Sequence, residues 1–409
     1  MDSLRREAYN RHFGDELFAS YHRWLESALG PFPFRLAETP LFVTRDLRER
    51  LMRAAEEIVG SLSRPETLQE LKKAIPARYD APGMDALPDC VQVDFALVQG
   101  ADGQLEGKVV ELQAFPSLYA LETFEADAWN HVLSPLPGLR EDWTCFCEGG
   151  RAENIDWIRR SIVGDDDPEE VVLVDFEPER QKTYPDFVAT KRLFDVNSIC
   201  ITKLIKEGRQ LYRDSGGRRV PVKRLYNRLV FDELAVKGVE PPFDWRDDLD
   251  ITWCSHPNWY WTWSKYALPF LNHPAVPSTR FLSDIDPLPE DLSRYVLKPL
   301  FSFAGAGVVI DVTHDVLARL GDAERKNFIL QEKVEYASAI HMPDGSGVKA
   351  EVRVMLLRQA LSGPRPLVPL LFLVRTSRGK MLGVDFNKNL TWVGGTVAIW
   401  PSEGKRADK

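Results

Sequence analysis

Apolar positions Leu47, Leu51, Ala54, Ala55 and Ile58 fall at i, i+4, i+7, i+8 and i+11, a single stripe along a helix that Thr44 is placed to cap and Gly60 to end. Tyr9, Phe13, Phe18 and Tyr21 form a similar amphipathic pattern around His12 and His22, so residues 1–62 are expected to be helical and to serve packing. From residue 91 the period changes to two. Residues 91–99 and 108–116 flank the turn Gly100-Ala101-Asp102-Gly103 and predict a hairpin. Residues 171–175 are an apolar strand with an acidic end, 183–194 a helix, 198–204 a strand, 210–222 a hairpin turning at Ser215-Gly216-Gly217, and 222–230 a strand with basic residues. This alternation implies a small α/β subdomain over about residues 168–240, closed by Pro241-Pro242. Beyond an aromatic window at 256–271, strands are expected at 295–298, 308–310, 327–334, 350–357, 367–375 and 393–397, with a turn at Pro343-Asp344-Gly345 and a frayed polar tail from 401.

Composition narrows the class. A chain of 409 residues is long for one core and suggests two or three subdomains. The formal charge of -9 lacks the basic footprint of a nucleic-acid binder, and 44% hydrophobic residues with 11 Trp exclude a disordered chain. No apolar run approaches the roughly eighteen residues of a membrane span. Met1-Asp2-Ser3-Leu4-Arg5-Arg6-Glu7 has no apolar signal core, which leads us to expect a cytoplasmic protein. The 5 cysteines read as reduced structural thiols, Cys145 and Cys147 included, because a one-residue spacing with no second Cys/His pair close by is a poor metal motif.

Four places carry candidate chemistry. Lys298 ends a strand ahead of Ala304-Gly305-Ala306-Gly307, which reads either as a phosphate grip or as an ordinary glycine-turned hairpin. In the first hairpin Asp94 and Glu111 can face one site from adjacent strands, with the Gln113 amide on the same face as Glu111. That oxygen-rich set suits Mg2+ unless it is only a polar outer face. Lys265, after Ser264, is a second phosphate candidate. Alternation in 350–357 also puts Glu351 and Arg353 together, toward solvent or a site.

The order of these pieces resembles the ATP-grasp family, in its circularly permuted branch represented by eukaryotic glutathione synthetase and glutathionylspermidine synthetase. Val296-Leu297-Lys298-Pro299 and the following loop are similar to the branch's V-L-K-P motif and phosphate-covering loop. Ser264-Lys265 is similar to its earlier lysine motif, and Ile329-Leu330-Gln331-Glu332-Lys333-Val334 to its adenine-edge strand. Glu111-Leu112-Gln113 resembles the E-x-N metal motif, with Asp94 in the place of the upstream aspartate. Arg375 and the Gly394-Gly395 loop resemble the elements that engage the carboxylate substrate.

The resemblance implies an α/β (α+β) ATP-grasp fold, circularly permuted, with an N-terminal helical region plus metal strands (1–165), a small α/β substrate-type subdomain (166–245) and a nucleotide-binding portion (246–409). It implies an ATP- and Mg2+-dependent carboxylate-amine ligase working on small molecules through an acylphosphate, with neither nucleic acid nor membrane as partner. ATP would contact Lys265, Lys298, Ser302, Gly305, Gly307, Gln331, Glu332, Lys333 and Val334. Mg2+ would sit on Asp94, Glu111 and Gln113, and Lys298 and Arg375 would be catalytic, Arg375 on the substrate carboxylate. Arg228 is a further candidate in the middle subdomain. Three positions depart from the branch: Gln113 replaces an asparagine, Gln92 an arginine, and Ser302 an acidic residue. They leave open a degenerate protein that binds nucleotide without turnover, and a purely structural protein is the remaining alternative.

Overall fold

The helix stripe forms as the spacing predicts, over Arg45–Leu62, with the Thr44 hydroxyl accepting from the Leu47 N–H. Gly60 does not end it. Leu62 is fully buried and extends the apolar stripe, and this burial outweighs the cost of about 1 kcal/mol for an internal glycine. The chain is a computed structural model that describes residues 1–140, 143–147, 149–302, 305–358, 366–379, 387 and 389–402. Phe303 and Ala304 of the lysine loop, and most of the expected frayed tail, lie outside the described residues.

Residues 1–62 are not helical throughout. Helices Ser3–His12 and Asp15–Leu29 are followed by a short strand, Leu41–Phe42, that runs parallel to Gly394–Pro401. This pairing opens an 8-stranded sheet in the order Leu41–Phe42, Gly394–Pro401, Val368–Ser377, Gly347–Leu357, Cys90–Gln99, Leu105–Gln113, with Ser338–His341 and Trp143–Thr144 attached at its sides. One face carries Val91, Val93, Phe95, Val352 and Val354, all buried, and helix Arg45–Leu62 packs on the sheet. The other face presents Gln92, Asp94, Glu351 and Arg353, which are buried despite their polarity. Helix Tyr119–Leu133 packs against helices Asp15–Leu29 and Tyr184–Phe194. Its Trp129 stacks on Tyr21 at 4.1 Å and donates to the Thr396 hydroxyl at 3.0 Å.

A second sheet has four parallel strands in the order Thr252–Cys254, Arg224–Asn227, Val171–Asp175, Asn197–Cys200, while the hairpin Gln210–Ser215/Arg218–Val222 belongs to a separate three-stranded sheet. The outermost strand of the second sheet, Thr252–Cys254, comes from beyond Pro241-Pro242, because the chain returns to the sheet after the proline turn. The strands expected at 198–204 and 222–230 are shorter than the sequence suggests. The first gives way to a 3-10 turn at Ile201–Lys203, and the second is confined to Arg224–Asn227.

A further sheet orders Thr279–Phe281, Phe328–Glu332 and Tyr295–Pro299 antiparallel. Residues 308–310 do not resume it as a strand. Val309 makes a single bridge to Leu297, and the chain then leaves toward helix His314–Ala318, capped by Thr313. Among the described residues no helix is long and apolar enough to cross a membrane, and the cysteines form no disulfide.

Candidate functional site

Register builds the charged face of the large sheet. Asp94 lies directly opposite Glu111 on one side and Arg353 on the other; Gln92 pairs with Gln113, and Glu351 pairs with Arg375. Directly opposed residues share a face, so the hairpin expectation holds for Asp94, Glu111 and Gln113. Two arginines and three carboxylates therefore share one face, Glu111, Asp94 and Arg353 in one cross-strand row and Glu351 and Arg375 in the next.

Lysines reach this face from other elements. Ser264 caps the 3-10 helix Lys265–Phe270, accepting from the Tyr266 N–H. That capping sends Lys265 Nζ to Glu111 Oε1 at 2.9 Å and to the Ser302 carbonyl at 2.8 Å. Lys298 stands on strand Tyr295–Pro299, and its Nζ donates to the Val110 carbonyl and to Gln331 Oε1, both at 2.7 Å. Gln331 in turn donates to the Thr279 hydroxyl, so it orients the lysine from the neighbouring strand. Glu332, the last residue of strand Phe328–Glu332, is opposite Tyr295. The Lys333 N–H is taken by the Arg294 carbonyl, and Val334 follows just past the strand end, half-buried.

The electrostatics are those of a desolvated ion network. Burial alone would raise the Glu111 carboxyl, but Lys265, Arg375 and Arg353 prevail and hold it down at about 2. Desolvation pushes the Lys298 ammonium down to about 8, against the opposing pull of Glu111. Arg375 would lose charge by burial, yet Glu351, Asp94 and Glu111 keep it more firmly protonated than usual; it contacts both Asp94 and Glu351. Burial raises the Glu351 carboxyl, whose other oxygen accepts from the Tyr336 hydroxyl at 2.9 Å.

Glu111, Gln113, Phe115, Tyr260, Trp263, Lys265 and Ser302 line a cleft. Among the described residues the buried Ser302 hydroxyl and Trp263 indole N–H have no hydrogen-bond partner. Gly305 and Gly307 hold the loop beside it at φ of 75 and 72 degrees, where glycine is at ease. A separate cavity lined by Leu68, Leu71, Met84, Trp259 and Trp263 is largely apolar and holds none of this chemistry.

Divalent metal fits these residues only in part. Arg353 donates from Nε to Asp94 Oδ1 at 2.6 Å and from Nη2 to Oδ2 at 2.7 Å, and Arg375 adds a further contact, so the guanidinium groups engage both oxygens of Asp94. Among the described residues no group of three or more His, Cys, Asp or Glu is arranged to hold a metal. Glu111 Oε2 and Gln113 Oε1 make no hydrogen bond within the described protein. Together with ligand phosphates they are the kind of sparse oxygen set Mg2+ accepts. Asp94 is therefore an arginine partner, which its position in the sequence did not disclose. Arg353 was legible only as a charge sharing a face with Glu351; its pairing with Asp94 depends on strand order.

The chain has a glutathione synthetase-like fold. Among solved structures it is similar to a glutathione synthetase-like effector, GSS30, from Globodera pallida in its apo form, with a TM-score of 0.59 at 13% identity over 95% of this chain and 96% of that one. No family profile and no curated protein sequence matches the chain. At that identity the likeness concerns the fold alone.

Proposed function

We propose that this protein is a circularly permuted ATP-grasp ligase, binding ATP between the three-stranded sheet that carries Lys298 and the charged face of the large sheet and joining a small carboxylate to an amine through an acylphosphate. The observation that carries this reading is that Lys265 and Lys298, from separate elements, reach adjacent residues of strand Leu105–Gln113, Lys265 the ionised Glu111 carboxylate and Lys298 the Val110 carbonyl, beside Ser302. A triphosphate would draw both ammonium groups from Glu111 Oε1 and Gln331 Oε1 onto phosphate oxygens, where charge must be neutralised for transfer. Glu111 and Gln113 would hold Mg2+, which shares that neutralisation when bound. Arg375 Nε is buried and has no partner among the described residues, which leaves a donor for a substrate carboxylate, so the residue both braces the acidic face and receives the carboxylate. The loop N–H groups of Gly305 and Gly307 would approach the terminal phosphate. In this reading residues 246–409 supply the nucleotide contacts and residues 166–245 form the substrate side.

A second reading, nucleotide binding without turnover, is favoured by the arginine-held Asp94 and by Ser302 in place of an acid. Calorimetric titration of ATP with Mg2+, followed by an ADP-release screen over carboxylate and amine panels, separates the two. We expect ATP binding that Lys298→Ala weakens at least tenfold, and ADP release only when both substrate types are present. Binding without ADP release selects the second reading; absence of ATP binding sinks both.

A further inference from the structure

We propose that Arg353 is a protein-borne cation standing where a divalent ion would bind Asp94, so that metal enters this cleft only through Glu111 and Gln113. The inference rests on the cleft being a polyanion site, but its geometry is independent of which polyanion binds. Arg353 and Asp94 are cross-strand partners, 7% and 0% exposed, joined by a two-pronged contact at 2.6 and 2.7 Å. A planar fork of this kind takes one in-plane lone pair on each carboxylate oxygen, and Arg375 contacts Oδ2 as well, so three of the roughly four acceptor directions a metal could use are held by guanidinium groups. The guanidinium has little freedom to swing away. Its remaining nitrogen, Nη1, donates to Gln92 Oε1 at 2.9 Å, while Gln92 Nε2 donates to the Ser117 carbonyl at 2.7 Å.

The same Gln92 oxygen accepts from Gln113 Nε2 at 2.7 Å. Arg353 and Gln113 thus share one acceptor, and Gln113 is left with its amide oxygen as the uncommitted side. A single arginine neutralises the inner carboxylate and, through Gln92, helps fix which end of Gln113 is available to a ligand. A metal could bind Asp94 closely only by displacing a buried guanidinium whose three nitrogens all donate hydrogen bonds, which would leave that charge uncompensated. At Glu111, Lys265 takes one oxygen and leaves the other.

Mn2+ titration of the full chain, followed by electron paramagnetic resonance of the free ion, tests the assignment without any nucleotide. In the wild type, Asp94→Asn is expected to change Mn2+ affinity less than twofold, whereas Glu111→Gln removes whatever weak binding exists. Arg353→Gln, which keeps an amide for Gln92, should gain a Mn2+ site at least tenfold tighter, and adding Asp94→Asn should abolish the gain. A tenfold loss of wild-type Mn2+ affinity on Asp94→Asn overturns the proposal, as does a folded Arg353→Gln protein that gains nothing. Circular dichroism reports whether Arg353→Gln is folded; if it is not, the wild type against Asp94→Asn decides. Failure of the wild type to bind ATP would refute the nucleotide reading while the Mn2+ counts still judge Arg353.

Discussion

At Lys298 two demands fall on one ammonium: desolvation favours the neutral amine, and any phosphate in the cleft favours the cation. With the free group near 8, phosphate binding above that pH must take up a proton. Affinity for inorganic tripolyphosphate is therefore expected to fall by up to about tenfold per pH unit above 8, and Lys298→Arg should flatten the slope because a guanidinium stays charged there. Calorimetry in two buffers of different ionisation enthalpy measures the proton uptake, and an affinity that does not change with pH would remove Lys298 from the phosphate site. Both groups sit below their ordinary values, so for both of them stability rises with pH, each in its own window. Lys298 lies below its ordinary 10.5, so its contribution to stability rises as pH climbs from about 8 toward 10.5. Glu111 lies below its ordinary 4.5, so its contribution is complete above that value and is lost as pH falls toward about 2.

The loop after Lys298 is short and its glycines are not equivalent. Both Gly305 and Gly307 have positive φ, but a Cβ at Gly305 meets nothing within 4 Å, whereas one at Gly307 would come to 2.9 Å from Pro299 Cγ. Gly305→Ala should cost about 1 kcal/mol of backbone strain. Gly307→Ala adds a clash with the residue next to Lys298 and should cost about 2–3 kcal/mol while also weakening tripolyphosphate binding. Denaturant melts of the pair measure the difference, and equal losses would mean that the Pro299 contact does not matter. Elements of this size were partly legible in the sequence. The hairpin that starts at residue 91 and the body of the helix capped by Thr44 announce themselves because alternation and stripe are local patterns, although their ends differ from the expected ones. The expected strand at 308–310 did not form, since Val308, Val309 and Ile310 have the right propensity but only Val309 finds a neighbour to bridge.

Across the whole molecule, the two ends of the chain are stitched together beside the site. The Ala37 N–H donates to the Gly395 carbonyl at 2.8 Å, the Gly395 N–H to the Arg35 carbonyl at 3.0 Å, and the Trp392 N–H to Glu38 Oε2 at 2.7 Å. Gly394, at φ 145 degrees, allows this approach; a Cβ there would lie 2.4 Å from the Arg35 carbonyl oxygen, a backbone atom that cannot yield cheaply. Because Gly395 is the cross-strand partner of Arg375, Gly394→Ala should both destabilise the fold by about 2–4 kcal/mol and disturb the arginine that braces the acidic face. Equilibrium unfolding measures the first effect, and an unchanged midpoint would show that the N-terminal segment is not held by this contact.

Local chemistry was readable from the order of residues alone: a lysine ending a strand, a hairpin with carboxylates on one face, a helix with its cap. These follow from the two- and 3.6-residue periods, roughly, which any stretch of chain displays by itself. What Asp94 does was not readable. Its neighbour Glu111 is 17 positions away and joined to it by one turn, but Arg353 is brought to its other side only by sheet order, 259 residues along the chain. The same carboxylate is a metal ligand or an arginine partner according to which strand lies next to it, and strand order is settled by the packing of the whole sheet. The sequence alone therefore determined the candidate residues, and the tertiary structure determined which charges neutralise which.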